Sequence, residues 1–342
     1  MEQIKQWLKA LCEASGVTGS ENNASNTAAK FLKEYADSVE IDNFGNVLGI
    51  IKSSKEGAKT ILLDAHIDEI GMIVTAIDDK GFIKFSNCGG MSRRILSAQP
   101  VTVHGKKEII GVVGSKPPHL ESQDEATKVA EFKDMYIDIG MTKEEAQEYI
   151  SLGDRITMTG GFKEMLNDCV TAKALDDRSG VATILYALSK LDRKNLSVNV
   201  EVAFSAQEEI GGNGAIVSAY KLKPDMALAV DVTTAYTPDA EKYESVEMGK
   251  GTAIGYAAIL DKGISDKLVS LAEEKNIKYQ YEAMGGRGTG TNADEIVVSR
   301  GGVTTGLLSI PLKYMHTPTE LIDVNDIVST GDLMVEFINS IQ

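Results

Sequence analysis

Short, strongly apolar runs that end on an acid or a histidine are what most restricts the fold of this chain of 342 residues. Thr60-Ile61-Leu62-Leu63-Asp64-Ala65 runs into His66-Ile67-Asp68-Glu69, and residues 202–206 run into Gln207-Glu208-Glu209-Ile210. Residues 226–230 run into Asp231-Val232-Thr233, and Gly306-Leu307-Leu308-Ser309-Ile310 precedes Tyr314-Met315-His316-Thr317-Pro318. Runs this short and this apolar read as strands of a sheet buried on both faces. Between them lie stretches with helical periodicity, residues 179–191, 266–274 and 325–341 among them. The alternation predicts an α/β fold with a mixed, mostly parallel sheet flanked by helices.

From residue 70 to 162 the texture changes. Ile73-Val74-Thr75-Ala76-Ile77, Phe82-Ile83-Lys84-Phe85, Val101-Thr102-Val103, Ile109-Ile110-Gly111-Val112-Val113 and Arg155-Ile156-Thr157-Met158 are β-branched runs punctuated by turns, with one helical piece at 143–149. This pattern predicts a small β-barrel or sandwich, residues 70–162, inserted into a discontinuous domain of residues 1–69 and 163–342. At the start of the chain, Ile4, Trp7, Leu8 and Leu11 fall at helical spacing. Gly16-Val17-Thr18-Gly19-Ser20 breaks that helix and offers Ser20 as the cap of a second, running to about Tyr35.

Composition narrows the function classes. With 43% apolar and 25% charged residues, the chain can bury a full core. A net charge of -15 excludes a nucleic-acid partner, which needs a basic face. Cys12, Cys88 and Cys169 are odd in number and scattered, so neither a disulfide framework nor a cysteine zinc knuckle is available. Met1-Glu2-Gln3-Ile4-Lys5 lacks a signal-peptide core, and no stretch approaches the ~18 apolar residues of a membrane span. A reducing, cytoplasmic setting without membrane contact is expected.

Sites in open α/β sheets form beyond the carboxyl ends of strands, so His66, Glu208, Glu209 and Asp231 are expected on one edge. Any one of these acids could be an ordinary solvated strand end. Together, Asp68, Asp176, Glu208, Glu209 and Asp231 would crowd like charges. Each pair ~4 Å apart costs on the order of 4 kcal/mol at an effective dielectric near 20, against roughly 5–15 kcal/mol for a whole domain. Two divalent cations would offset most of that. Imidazole and carboxylate donors suit zinc, cobalt or manganese, and the lack of thiolates points to a hydrolytic site. His66-x-Asp68 puts Asp68 where it can hold the ring nitrogen facing away from a metal. Of adjacent glutamates, one can bind metal while the other serves as general base. Of Asp176-Asp177, one carboxylate can bridge both ions while the other caps or shapes the turn before a helix.

The order His66-x-Asp68, Asp176-Asp177-Arg178, Glu208-Glu209-Ile210-Gly211, Asp231-Val232-Thr233 and His316-Thr317-Pro318 resembles the M42 metallo-aminopeptidases. These are the glutamyl-aminopeptidase-like and tetrahedral (TET) peptidases of bacteria and archaea. The likeness spans essentially the whole chain, including Gly111-Val112-Val113-Gly114-Ser115-Lys116-Pro117-Pro118-His119 in the β insert. It implies the di-metal exopeptidase fold, with His66, Asp176 and Asp231 on one metal and Asp176, Glu209 and His316 on the other. Asp176 would bridge the pair, Asp68 would orient His66, and the Asp176-Asp177 peptide bond would be cis. The implied activity is removal of the N-terminal residue from short peptides with a free amine. Glu208 would act as general base on a metal-bridging water and return the proton to the leaving amine. The two metals would be Zn2+ or Co2+, with Mn2+ also compatible. Members assemble through the inserted β domain, which implies a homo-oligomer, a dimer or a twelve-subunit tetrahedron.

Two positions depart from common family forms. Asn292, in Gly290-Thr291-Asn292-Ala293-Asp294, stands where many relatives carry Asp, and no arginine lies near Asn213. Neither is an implied ligand, so both bear on substrate preference rather than hydrolysis. Gly285-Gly286-Arg287-Gly288-Thr289-Gly290 lacks the ending of a P-loop and the spacing of a dinucleotide site, and reads as a mobile loop beside the substrate pocket. His104 and His119 read as surface or hydrogen-bonded histidines. The alternative on the same scaffold, a di-metal deacylase or carboxypeptidase, would not require a free α-amine. A non-catalytic assembly protein would have no use for Glu208 beside a complete ligand set.

Overall fold

A computed structural model describes residues 1–120, 122, 127–240, 245–286 and 288–341. An eleven-stranded mixed sheet dominates it. The centre is parallel: Asn199–Ser205, Thr60–His66, Met226–Thr234 and Thr304–Lys313 lie side by side. Antiparallel strands extend both margins, Val47–Ile51 and Ser38–Ile41 on one side, Glu320–Asp323, Cys169–Ala172 and Lys163–Glu164 on the other. A parallel pair, Thr252–Tyr256 and Tyr279–Ala283, joins the long strand Thr304–Lys313 at Leu308 and Ser309.

The central strands are continuously apolar because helices cover both faces. Ile61, Leu63 and Leu228 pack with Trp7, Leu185, Leu268 and Met334 on one face. Leu62, Ala203 and Ala227 meet Ala215, Ala219 and Ile296 on the other. The covering helices include Glu2–Glu13, Leu175–Lys190, Lys262–Lys275 and Val324–Asn339 on the first side and Asn213–Leu222 on the second.

Local expectations fail where backbone chemistry intervenes. Ser20 does not cap the second helix: its own N–H closes a turn onto the Val17 carbonyl at 2.7 Å. The helix Asn22–Leu32 starts after Glu21, without a side-chain cap, and stops short of Tyr35. Asn213–Leu222 escaped sequence reading because Gly211, Gly212 and Gly214 hide its start.

Six further strands, Gly71–Ile77, Ile83–Cys88, Ile137–Asp138, Glu108–Val113, Pro100–His104 and Arg155–Met158, close into an antiparallel barrel in that order. Its interior is a separate core built on Met72, Val74, Ile83, Phe85, Val101, Val103 and Ile156. Closure leaves no free edge to template aggregation. Alternation along Glu108–Val113 buries Ile109 and Val113 and exposes Ile110 and Val112.

Leu63, wholly buried at the centre of the sheet, tests the shared core. Leu63→Ala is expected to cost about 2–5 kcal/mol. Urea unfolding should show the loss as a lower midpoint at unchanged slope.

Candidate metal centre

The crevice arises from a fork in the sheet. Thr60–His66 pairs with Met226–Thr234 only as far as Asp64 and Ala229. Each strand then continues with its other neighbour, one to Ser205 opposite His66 and the other to Leu312 opposite Thr234. A cleft opens where the two part, at the carboxyl ends of parallel strands. His66 ends its strand at the mouth of this cleft. Asp231 lies inside Met226–Thr234, not past its end as the sequence suggested, because pairing with Thr304–Lys313 carries that strand on.

The other groups arrive on irregular backbone. Glu208 and Glu209 sit in a single tight turn entered through Gln207, whose φ is 58°. Asp176 and Asp177 open the helix Leu175–Lys190 with non-helical dihedrals, and the peptide bond between them is cis. His316 has a left-handed φ of 60° in the turn between Thr304–Lys313 and Glu320–Asp323.

The Asp176 carboxylate is shared. One oxygen lies 2.9 Å from His66 Nε2 and the other 3.3 Å from His316 Nε2. Asp231 stands 3.9 Å from His66 Nε2, and Glu209 stands 3.4 Å from His316 Nε2. Among the described residues, His66, Asp176 and Asp231 form one group and Asp176, Glu209 and His316 another, each with donor atoms within 4.8 Å of one another. Metal–ligand bonds of about 2.0–2.2 Å in tetrahedral geometry set neighbouring donors about 3.4 Å apart. Both triads match that spacing, so the donor set fits two cations.

The electrostatics agree. Burial pushes the Asp231 and Asp177 carboxyls well above their ordinary range, with neighbouring carboxylates adding to it. Burial raises Glu209 and lifts Glu208 to about 7. Asp176 instead stays well below the usual value despite burial, because both imidazoles bond it. Burial alone would lower the two histidines, but their acidic partners hold His66 well above its normal value and His316 at about 11. The cleft therefore demands positive charge.

Asp68 does more than face a ring. His66 Nδ1 is 3.2 Å from the Asp68 carbonyl and 3.5 Å from its carboxylate. The two carboxylate oxygens accept the N–H groups of Glu208 at 3.0 Å and Glu209 at 3.2 Å, pinning the turn that carries both glutamates. Asp177 accepts the Gly180 N–H at 3.0 Å and shapes the helix start. Sequence reading gave no role to four buried neighbours, Glu69, Lys173, Arg178 and Glu320. Glu69 pairs with Lys173 at 2.7 Å and Arg178 at 3.2 Å, behind the cleft. Glu320 binds the backbone of two site segments. Its place four residues after His316, across a proline turn, was the available signal.

A cavity of about 530 Å³ opens over these groups, bordered by Glu208, Asp231, Met284, Thr289, Gly290 and Thr291. The glycine-rich loop thus lies beside it, although Arg287 falls outside the described residues. Asn292 is buried and donates to Asp64 at 2.7 Å, and Asp64 also accepts from Ser205. An aspartate there would set a second carboxylate against Asp64, whose pKa burial already lifts to about 6. His104 bonds Thr157 at 2.9 Å and His119 is exposed, so both stand apart from the centre.

A carboxylate–imidazole cage at the strand ends of an α/β sheet is the architecture of a metal-dependent hydrolase. The M42 glutamyl aminopeptidase family model matches residues 45–333. A putative aminopeptidase of Acetivibrio thermocellus is 35% identical over 342 residues, 98% of this chain and 99% of that protein. The aminopeptidase APDkam598 from the archaeon Desulfurococcus kamchatkensis superposes with a TM-score of 0.91 at 36% identity, over 100% of this chain and 98% of that one. The TET1 peptidase of Pyrococcus horikoshii gives 0.86 at 31% identity, over 98% and 99% of the two chains, and can assemble into a tetrahedron or a large octahedral shell. The chain belongs to the M42 glutamyl aminopeptidase family. It is a metallo-aminopeptidase, a hydrolase acting on peptide bonds.

Asp68→Asn keeps the size of the side chain but replaces one acceptor oxygen with an amide. Turnover is expected to drop by about 10–100-fold as the glutamate turn loosens. Steady-state kinetics at saturating substrate will read it, and wild-type turnover would remove the anchoring role of Asp68.

Proposed function

We propose that the protein is a di-metal aminopeptidase that removes the N-terminal residue from short peptides, with Glu208 as general base. The observation that carries this reading is the single Asp176 carboxylate held between His66 and His316, which completes two three-donor groups around one shared ligand. His66, Asp176 and Asp231 would hold one cation and Asp176, Glu209 and His316 the other. When bound, two divalent cations (Zn2+ or Co2+, with Mn2+ also compatible) would polarise the scissile carbonyl and acidify the attacking water.

The chain's own groups divide the remaining work. Glu208 shares a turn with Glu209 yet belongs to neither donor group, so its carboxylate is available for proton transfer. It accepts a proton as the water oxygen bonds the carbonyl carbon. It then delivers that proton to the amine nitrogen as the C–N bond breaks. The acidic cleft attracts the substrate's α-ammonium, which favours exopeptidase over endopeptidase cleavage. Asp68 keeps Glu208 and Glu209 in register.

Residues 1–69 and 163–342 would form the catalytic domain and residues 70–162 an inserted domain for assembly. The TET1 peptidase, which can form closed shells, supports a homo-oligomer, a dimer or a tetrahedral dodecamer. Among the described residues no helix is long and apolar enough to cross a membrane. Three free cysteines fit a reducing cytoplasm.

Two experiments test the reading. A free peptide should be hydrolysed and its N-acetylated copy should not; hydrolysis of both would favour the deacylase or carboxypeptidase alternative. Glu208→Ala should retain two metals per chain by elemental analysis while turnover falls ~10²–10⁴-fold. Unchanged turnover would remove Glu208 as the base.

A further inference from the structure

We propose that Glu320 is a positioning residue that fixes the separation of Asp176 and His316, and through it the affinity of the cation site His316 belongs to. The inference rests on the two-cation reading above. Glu320 is 2% exposed and begins the strand Glu320–Asp323, opposite Ala172 on the neighbouring strand Cys169–Ala172. Its two carboxylate oxygens serve different segments. Oε2 accepts the backbone N–H of Asp176 at 3.1 Å, and Oε1 accepts that of His316 at 2.9 Å. With both oxygens engaged by backbone, Glu320 belongs to neither donor group.

A glutamate is an expensive choice at this position if strand pairing is its only duty. Its carboxylate is buried beside the Asp176 backbone, where water cannot solvate it. An apolar side chain would pair the strand with less desolvation. What the carboxylate adds is two acceptors a fixed distance apart, each making a charge-assisted bond. Those bonds fall on two segments with irregular backbone. Asp176 sits in a non-helical start to its helix, and His316 holds a left-handed φ of 60° that a residue with a Cβ keeps only when its surroundings impose it. A small cavity of about 10 Å³ beside Glu320 is also bordered by Lys173, Glu69 and Glu209.

Glu320 therefore works through Asp176 and His316 and touches no reacting atom. His66 and Asp231 take no bond from it, so the site they share with Asp176 should be affected less.

The test is metal titration of chelator-stripped full-length protein with Zn2+, read by competition with a chromophoric chelator, beside thermal unfolding of the stripped form. Wild type should show two sites. Glu320→Gln, which retains one acceptor oxygen, should weaken one site by about 10–100-fold and leave the other. Glu320→Asp keeps the charge without the reach and should weaken the same site; it carries the same readout if the glutamine variant does not fold. Two wild-type affinities in Glu320→Gln, even with a lower unfolding temperature, would reduce Glu320 to a structural role and overturn the proposal. Full recovery in Glu320→Asp would overturn it too, since charge rather than reach would then suffice. Wild-type protein holding fewer than two cations per chain would overturn the two-cation reading itself and this inference with it.

Discussion

One carboxylate held between two imidazoles organises this molecule. Asp176 is buried, and the bonds from His66 and His316 to its two oxygens hold it below the usual carboxylate range despite that burial. Around it stand Asp231, Glu208 and Glu209, all pushed toward protonation by burial and by one another. A cluster of this sign is tolerable where positive charge neutralises it, and at ε ≈ 20 each uncompensated pair would cost on the order of 4 kcal/mol. The surrounding polar scaffold makes sense as the response to that constraint.

The scaffold works mainly through backbone N–H groups. Asp68 binds those of Glu208 and Glu209, Glu320 those of Asp176 and His316, and Asp177 that of Gly180. Asp68 and Glu320 each tie in a segment more than a hundred residues away, whereas Asp177 acts locally on its own helix start. Deeper still, Glu69 pairs with Lys173 and Arg178, and Arg178 also bonds the Leu11, Ala14 and Ile67 carbonyls. The base of the site is thereby tied to the first helix. Loops that carry function are usually mobile, and here buried ionic contacts counter that tendency.

The barrel presents a different solution to a different problem. Its own apolar core and its closed strand order make it independent of the sheet's interior. Yet its first strand, Gly71–Ile77, begins only a few residues after His66 and Asp68. Gly71 has no room for a side chain, because a Cβ there would lie 2.5 Å from Val17. A short stretch of chain therefore joins the barrel to His66 and Asp68.

The apolar runs and the residues that follow them are legible without coordinates, because burial on both faces of a parallel strand demands an unbroken apolar sequence. The barrel's β-branched runs are legible for the same local reason. So were His66, Asp68, Asp176, Glu208, Glu209, Asp231 and His316 as candidates, since their residue types announce their chemistry. The sequence could not say that the two central strands part after Ala229, nor that Asp231 stays inside a continuing strand. It was silent on Glu320 and on the backbone duty of Asp68. Those facts depend on register and on which N–H groups lack a strand partner, and only the packed chain decides them.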